Sequence, residues 1–125
     1  MIVPILKIGK NLITSIQIPL TDQQARQFQR EVLEEVARTE AFGIIIDITA
    51  MDVVDSYMAR ILSETAIDVQ LMGARAVIVG IRPEVAVTLV QMGRGLTDVA
   101  TALNLEQGLA KLEKMNARKG AGHGS

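Results

Sequence analysis

The segment Ile44-Ile45-Ile46-Asp47-Ile48 is a nearly continuous run of β-branched apolar residues. Side chains along a strand point alternately to its two faces, so such a run reads as a strand covered on both sides and placed centrally in a sheet. Residues 76–79, Ala-Val-Ile-Val, read as a second buried strand. The rest of the chain must then supply the covering layers and the connections.

Residues 2–8 and 11–18 are apolar-rich runs joined at Gly9-Lys10-Asn11, where Gly and Asn tolerate the positive φ of a tight turn, and they predict an antiparallel hairpin. Thr21 followed by Gln24 predicts a capped helix, with Ala25, Phe28, Val32, Leu33 and Val36 inward and an end near Gly43. Asp55 predicts the cap of a second helix, with Met58, Ile61, Leu62, Thr65, Val69 and Met72 inward and Gly73 as its stop. Pro83 suits the first turn of a third helix, with Val85, Ala86, Leu89 and Val90 inward as far as Gly93. A short strand over 99–101 leads to Asn104 and Gln107, which predict the capped start of a helix carrying Leu105, Leu109 and Leu112.

This order implies parallel strands joined by right-handed crossovers, an α/β class with a mixed, mostly parallel sheet opened by an antiparallel hairpin and about four helices. One domain is expected over 1–115. Residues 116–125 hold three glycines and no apolar anchor, and are expected to form a disordered tail.

Aromatic residues are 2% of the chain, so its core is aliphatic and it offers no platform for stacking bases. A net charge of −1 with dispersed basic residues gives no footprint for nucleic acid or for an acidic membrane surface. No apolar run approaches the length of about 20 residues that spans a bilayer, and the first ten residues lack the pattern of a signal peptide. The chain has no cysteine, which removes disulfides and thiolate sites and fits a cytoplasmic home.

Few residues can carry enzyme chemistry. The single histidine, His123, lies in the glycine-rich tail, too loosely placed to serve a serine nucleophile, and Gly93-Arg94-Gly95 lacks the Lys-Ser/Thr ending of a phosphate loop. Asp47, Asp52 and Asp55 crowd the end of the central strand, where three carboxylates could hold Mg²⁺ for phosphotransfer. In the plainer reading the three act separately, Asp55 as a helix cap, Asp52 in solvating the loop, and Asp47 in hydrogen bonds to the backbone. No enzyme activity and no cofactor are expected.

Ser56 also carries two readings. It is an ordinary residue of a first helical turn, or it is an exposed acceptor whose phosphate the helix N-terminus tolerates. A phosphate there adds about −1.5 to −2 charges beside Asp52 and Asp55 and would weaken a partner docked across that loop.

The segment Ile46-Asp47-Ile48-Thr49-Ala50-Met51-Asp52-Val53-Val54-Asp55-Ser56 resembles the phosphorylation loop of STAS domains, the family of anti-sigma factor antagonists. Leu71-Met72-Gly73-Ala74-Arg75 and the stretch from Gly80-Ile81-Arg82-Pro83 to Thr88-Leu89 resemble its stressosome branch, the RsbS type with its RsbR relatives. The resemblance runs from about Val3 to Leu112. It implies a non-enzymatic scaffold that co-assembles with RsbR-like co-antagonists into a large oligomer and sequesters an RsbT-like serine kinase. Phosphorylation of Ser56 would release that kinase, and an RsbX-like phosphatase would reset the site. RsbR-type proteins carry an N-terminal sensor domain and a threonine at the first acceptor position, whereas this chain opens at its first strand and has Ser56. Thr88 falls at the second acceptor position of RsbR-type proteins and is a possible secondary site.

The partner-binding surface is expected around Asp52, Asp55, Ser56 and Tyr57, with Met92, Leu96 and the first hairpin strand available to an interface. The alternative is a simple anti-sigma factor antagonist acting outside a large assembly.

Overall fold

The computed structural model describes residues 2–91 and 99–123, with side chains described as far as Asn116. The elements run β1 (Ile5–Ile8), β2 (Asn11–Ser15), α1 (Asp22–Thr39), β3 (Gly43–Asp47), α2 (Ser56–Leu71), β4 (Arg75–Val79), α3 (Pro83–Gln91), β5 (Ala100–Ala102) and α4 (Leu105–His123). Among the described residues the strands form one sheet in the order β1-β2-β3-β4-β5. The β1–β2 pair is antiparallel, closed by a loop at Gly9-Lys10, and every other pairing is parallel. The strands follow one another in chain order, so right-handed crossovers put α1, α2 and α3 on the same face of the sheet, leaving the other to α4.

The alternation of the central strands sorts the core accordingly. Leu12, Ile16, Ile44, Ile46, Ile48, Ala76 and Ile78 pack with Phe28 and Val32 of α1 and Ile61, Leu62 and Val69 of α2. Ile13, Ile45, Val77 and Val79 face the other way, against Leu112 with Leu109 and Met115 at the margin. Strand β3 is thus buried on both faces, as its isoleucine run predicts. Gly108 brings α4 close, because a β-carbon there would stand 2.7 Å from Val79 Cγ1.

Local signals set the helix starts. Thr21 Oγ1 accepts from Gln24 N–H at 3.1 Å while Gln24 Oε1 accepts from Thr21 N–H at 3.0 Å, a complete capping box. Asn104 Oδ1 accepts from Gln107 N–H at 2.9 Å at the start of α4. Helix α1 ends at Thr39, short of the expected Gly43, with Glu40 in the left-handed region at φ 51° and its N–H on the Val36 carbonyl.

Three apolar residues sit differently from expectation. Ile18, read as part of the second strand, is 53% exposed, because β2 ends at Ser15 and the chain turns through Pro19 toward the Thr21 cap. Met72 is 45% exposed because it is the C-cap of α2, where the helix has run past the sheet. Val90 is 73% exposed: at about 100° per residue it lies a quarter turn beyond Leu89 and off the buried stripe. Helix α4 runs from Leu105 to His123. Met92, Gly93 and Leu96 lie outside the described residues.

Candidate functional site around Ser56

The site is built on the C-terminal ends of β2, β3 and β4, the edge at which open α/β sheets commonly place their ligands. Strand pairing extends one step beyond β3, with Ile16 N–H on the Asp47 carbonyl and Ile48 N–H on the Val79 carbonyl, both at 3.0 Å. Asp47 Oδ1 then accepts from Thr49 N–H at 2.9 Å and from Thr49 Oγ1 at 2.6 Å, which turns the chain out of the sheet. Arg82 Nε donates to the Thr49 carbonyl at 2.8 Å and ties this turn to the loop after β4. Gly80 makes the approach possible. It sits at φ 79°, and a β-carbon there would come within 1.9 Å of Thr49 Oγ1.

The loop is pinned by two apolar side chains, Met51 and Val54, both buried in the main core. Between them Asp52 and Val53 face solvent, Val53 at 77% exposure. Asp55 closes the loop as the N-cap of α2, its Oδ1 accepting from Met58 N–H at 2.8 Å. Ser56 is therefore the first helical residue, exposed, with no hydrogen-bond partner for its hydroxyl among the described residues.

Tyr57 is half-buried and packs against the main core. Its hydroxyl accepts from Arg26 Nε of α1 at 3.3 Å, a hydrogen bond that pushes the Arg26 guanidinium still higher in pKa. The Arg60 guanidinium lies over the Tyr57 ring, 5.6 Å from its centroid, and 3.7 Å from Glu64 Oε1. Beside the loop a cleft of about 240 Å³ is lined by Ile18, Pro19, Leu20, Met51, Asp52 and Val53, among others. The site thus offers an unbonded hydroxyl at a helix start, acidic groups before it, arginines behind it, and an apolar cleft at its side.

Asp52, Asp55, Ser56 and Tyr57 are consecutive or nearly so, and the structure sets them on one loop-to-helix corner. Thr88 stands elsewhere, half-buried on α3, with its hydroxyl donating to the Glu84 carbonyl at 3.0 Å. The three aspartates do not converge as a magnesium site would require: Asp47 and Asp55 bond to their own turns, and no group of acidic or histidine side chains suited to a metal stands among the described residues. Arg26, Arg60 and Ile18 were missed by the sequence reading. Arg60 had a usable signal, its position four residues after Ser56; Arg26 had none, because its contact with Tyr57 spans 31 residues.

The sequence pattern of the STAS domain matches residues 3–106. The chain belongs to the STAS-domain family. A solved serine-to-glutamate variant of RsbS from Moorella thermoacetica is 41% identical, covering 92% of this chain and 97% of that one, with a TM-score of 0.83. A chain from a structure titled as the molecular architecture of the stressosome, a signal integration and transduction hub, is 42% identical, covering 90% and 98%, with a TM-score of 0.81. The RsbT co-antagonist protein RsbRA of Bacillus subtilis (strain 168) is 30% identical over 93% of this chain. This STAS domain spans only 43% of the length of that relative. No helix among the described residues is long and apolar enough to cross a membrane.

Proposed function

We propose that this STAS domain is a non-enzymatic scaffold and antagonist of a stressosome-type assembly in the cytoplasm. It co-assembles with RsbR-like co-antagonists, holds an RsbT-like serine kinase, and releases it when Ser56 is phosphorylated, with an RsbX-like phosphatase restoring the site. The observation that carries the reading is the exposed, unbonded Ser56 hydroxyl at the first residue of α2, presented by a loop anchored through Met51 and Val54. High similarity to RsbS over nearly the whole chain supports it.

The switch is electrostatic. A partner seated on Asp52, Asp55, Ser56 and Tyr57, with Val53 and Ile18 as apolar contacts, meets about −1.5 to −2 additional charges when Ser56 is phosphorylated. A coupling of about 1–3 kcal/mol then weakens binding about 5- to 150-fold. Thr88 is a secondary acceptor in this reading, with its hydroxyl first having to leave the Glu84 carbonyl.

Incubation with an RsbT-like kinase and ATP, followed by intact-mass spectrometry and site mapping, tests the proposal. Wild type is expected to gain a phosphate on Ser56, Ser56→Ala to gain none there, and only the phosphorylated wild type to lose the kinase in a pull-down. Phosphate solely at other residues, or kinase retention by the Ser56-phosphorylated protein, would overturn it.

A further inference from the structure

Two arginines, Arg26 and Arg60, engage Tyr57 beside Ser56, a third, Arg82, holds the Thr49 turn at the start of the same loop, and their present engagements differ. Arg82 is committed to the Thr49 carbonyl at 2.8 Å, and Arg26 donates to the Tyr57 hydroxyl. Arg60 has only the face of the Tyr57 ring and a 3.7 Å approach to Glu64, with both charged side chains about half exposed. Exposed pairs of this kind hold a guanidinium weakly.

Ser56, Arg60 and Glu64 are spaced four apart on α2, so they form one line along its surface in which each neighbours the next. The existing pair places the cation N-terminal to the anion, the less favourable order for the helix dipole. An anion at Ser56 would reverse that order, carry nearly twice the charge of the Glu64 carboxylate, and offer oxygens suited to the guanidinium fork.

We infer that Arg60 is the internal counter-ion of a phosphate on Ser56, and that its guanidinium leaves Glu64 to pair with that phosphate when Ser56 is modified. The inference rests on the reading of Ser56 as an acceptor. It makes Arg60 a positioning residue: the phosphate is held down along α2, and Glu64, two turns into the helix, gives up Arg60 and keeps only the more distant attraction of Arg26. The acidic change is thus spread from the loop along α2. A glutamate at position 56, with one charge and two oxygens, would draw Arg60 less strongly.

Phosphoserine placed at position 56 during translation allows a test that does not depend on any kinase. The second pKa of the phosphate, followed by ³¹P NMR against pH, reports its counter-ion directly; the charged groups facing it are Asp52 and Asp55 from the loop, Arg26 from α1, and Arg60 and Glu64 from α2. In Arg60→Ala the pKa is expected to rise by roughly half a unit over the otherwise unaltered phosphoprotein, with Arg60→Lys recovering part of the difference. Circular dichroism of the same samples is expected to be unchanged, since Arg60 is half-exposed and outside the core. Equal titration of Arg60→Ala and the parent within about a tenth of a unit, or a larger rise in Arg26→Ala, would overturn the inference. Mapping of the kinase product to another residue would instead count against Ser56 as the acceptor while leaving this titration interpretable.

Discussion

Asp55 and Gly80 act at opposite sides of the loop that presents Ser56. Asp55 satisfies the Met58 N–H and fixes where α2 begins. Its replacement by alanine is expected to cost about 1 kcal/mol in urea unfolding, with asparagine retaining most of the stability. Gly80 combines a left-handed backbone with contact against the Thr49 turn. Gly80→Ala therefore faces both conformational strain and overpacking, and a loss of about 2–4 kcal/mol is expected in the same measurement. Stability equal to wild type would mean that the turn at Thr49 yields easily.

Among the described elements, α4 alone covers the second face of the sheet, with Leu112 fully buried against Ile13, Ile45, Val77 and Val79. Leu112→Ala is expected to cost about 2–5 kcal/mol, because the cavity opens between a helix and a sheet that cannot close on each other freely. Hydrogen exchange should then show protection lost over α4 and β3 before α1 and α2. Helices α1 and α2 share the other face and are joined at its upper end by the Arg26–Tyr57 bond. That bond is expected to matter little to stability, being exposed, and more to the orientation of the Ser56 corner.

The whole molecule keeps considerable apolar surface outside its core: Leu6, Ile8, Val53, Leu71, Val87, Val90 and Leu103 are each more than half exposed. Leu6 and Ile8 lie on the edge strand β1, on the sheet face that α4 covers only farther along. Of these, Leu6 and Ile8 are neighbours on one face of an edge strand, and a contiguous exposed apolar strip of that kind marks a protein contact. Co-expression with an RsbR-like partner is expected to give megadalton particles by size-exclusion chromatography with light scattering, for wild type and Ser56→Ala alike. Two species that elute separately as small proteins would favour the simple antagonist outside a large assembly.

Much of the fold was legible in order along the chain because the deciding signals are local. The isoleucine run declares a doubly covered strand, Thr21, Asp55 and Asn104 declare helix starts, and the Gly9 turn declares a hairpin. The place of Ser56, one residue after a cap, was legible for the same reason, whereas its reading as an acceptor came from the resemblance to STAS phosphorylation loops. Local pattern could not decide where an apolar residue leaves the core, and so Ile18 was read into the second strand and Met72 and Val90 were placed inward although all three face solvent. Element order, helix caps and the position of Ser56 in the first turn of α2 could all be read from the chain, since each is set by neighbours within about one helical turn. The meeting of Gly80 with Thr49, the reach of Arg26 to Tyr57, and the cleft shared by Ile18 and Val53 emerge only in three dimensions, because each joins residues that sheet pairing and helix packing alone bring together.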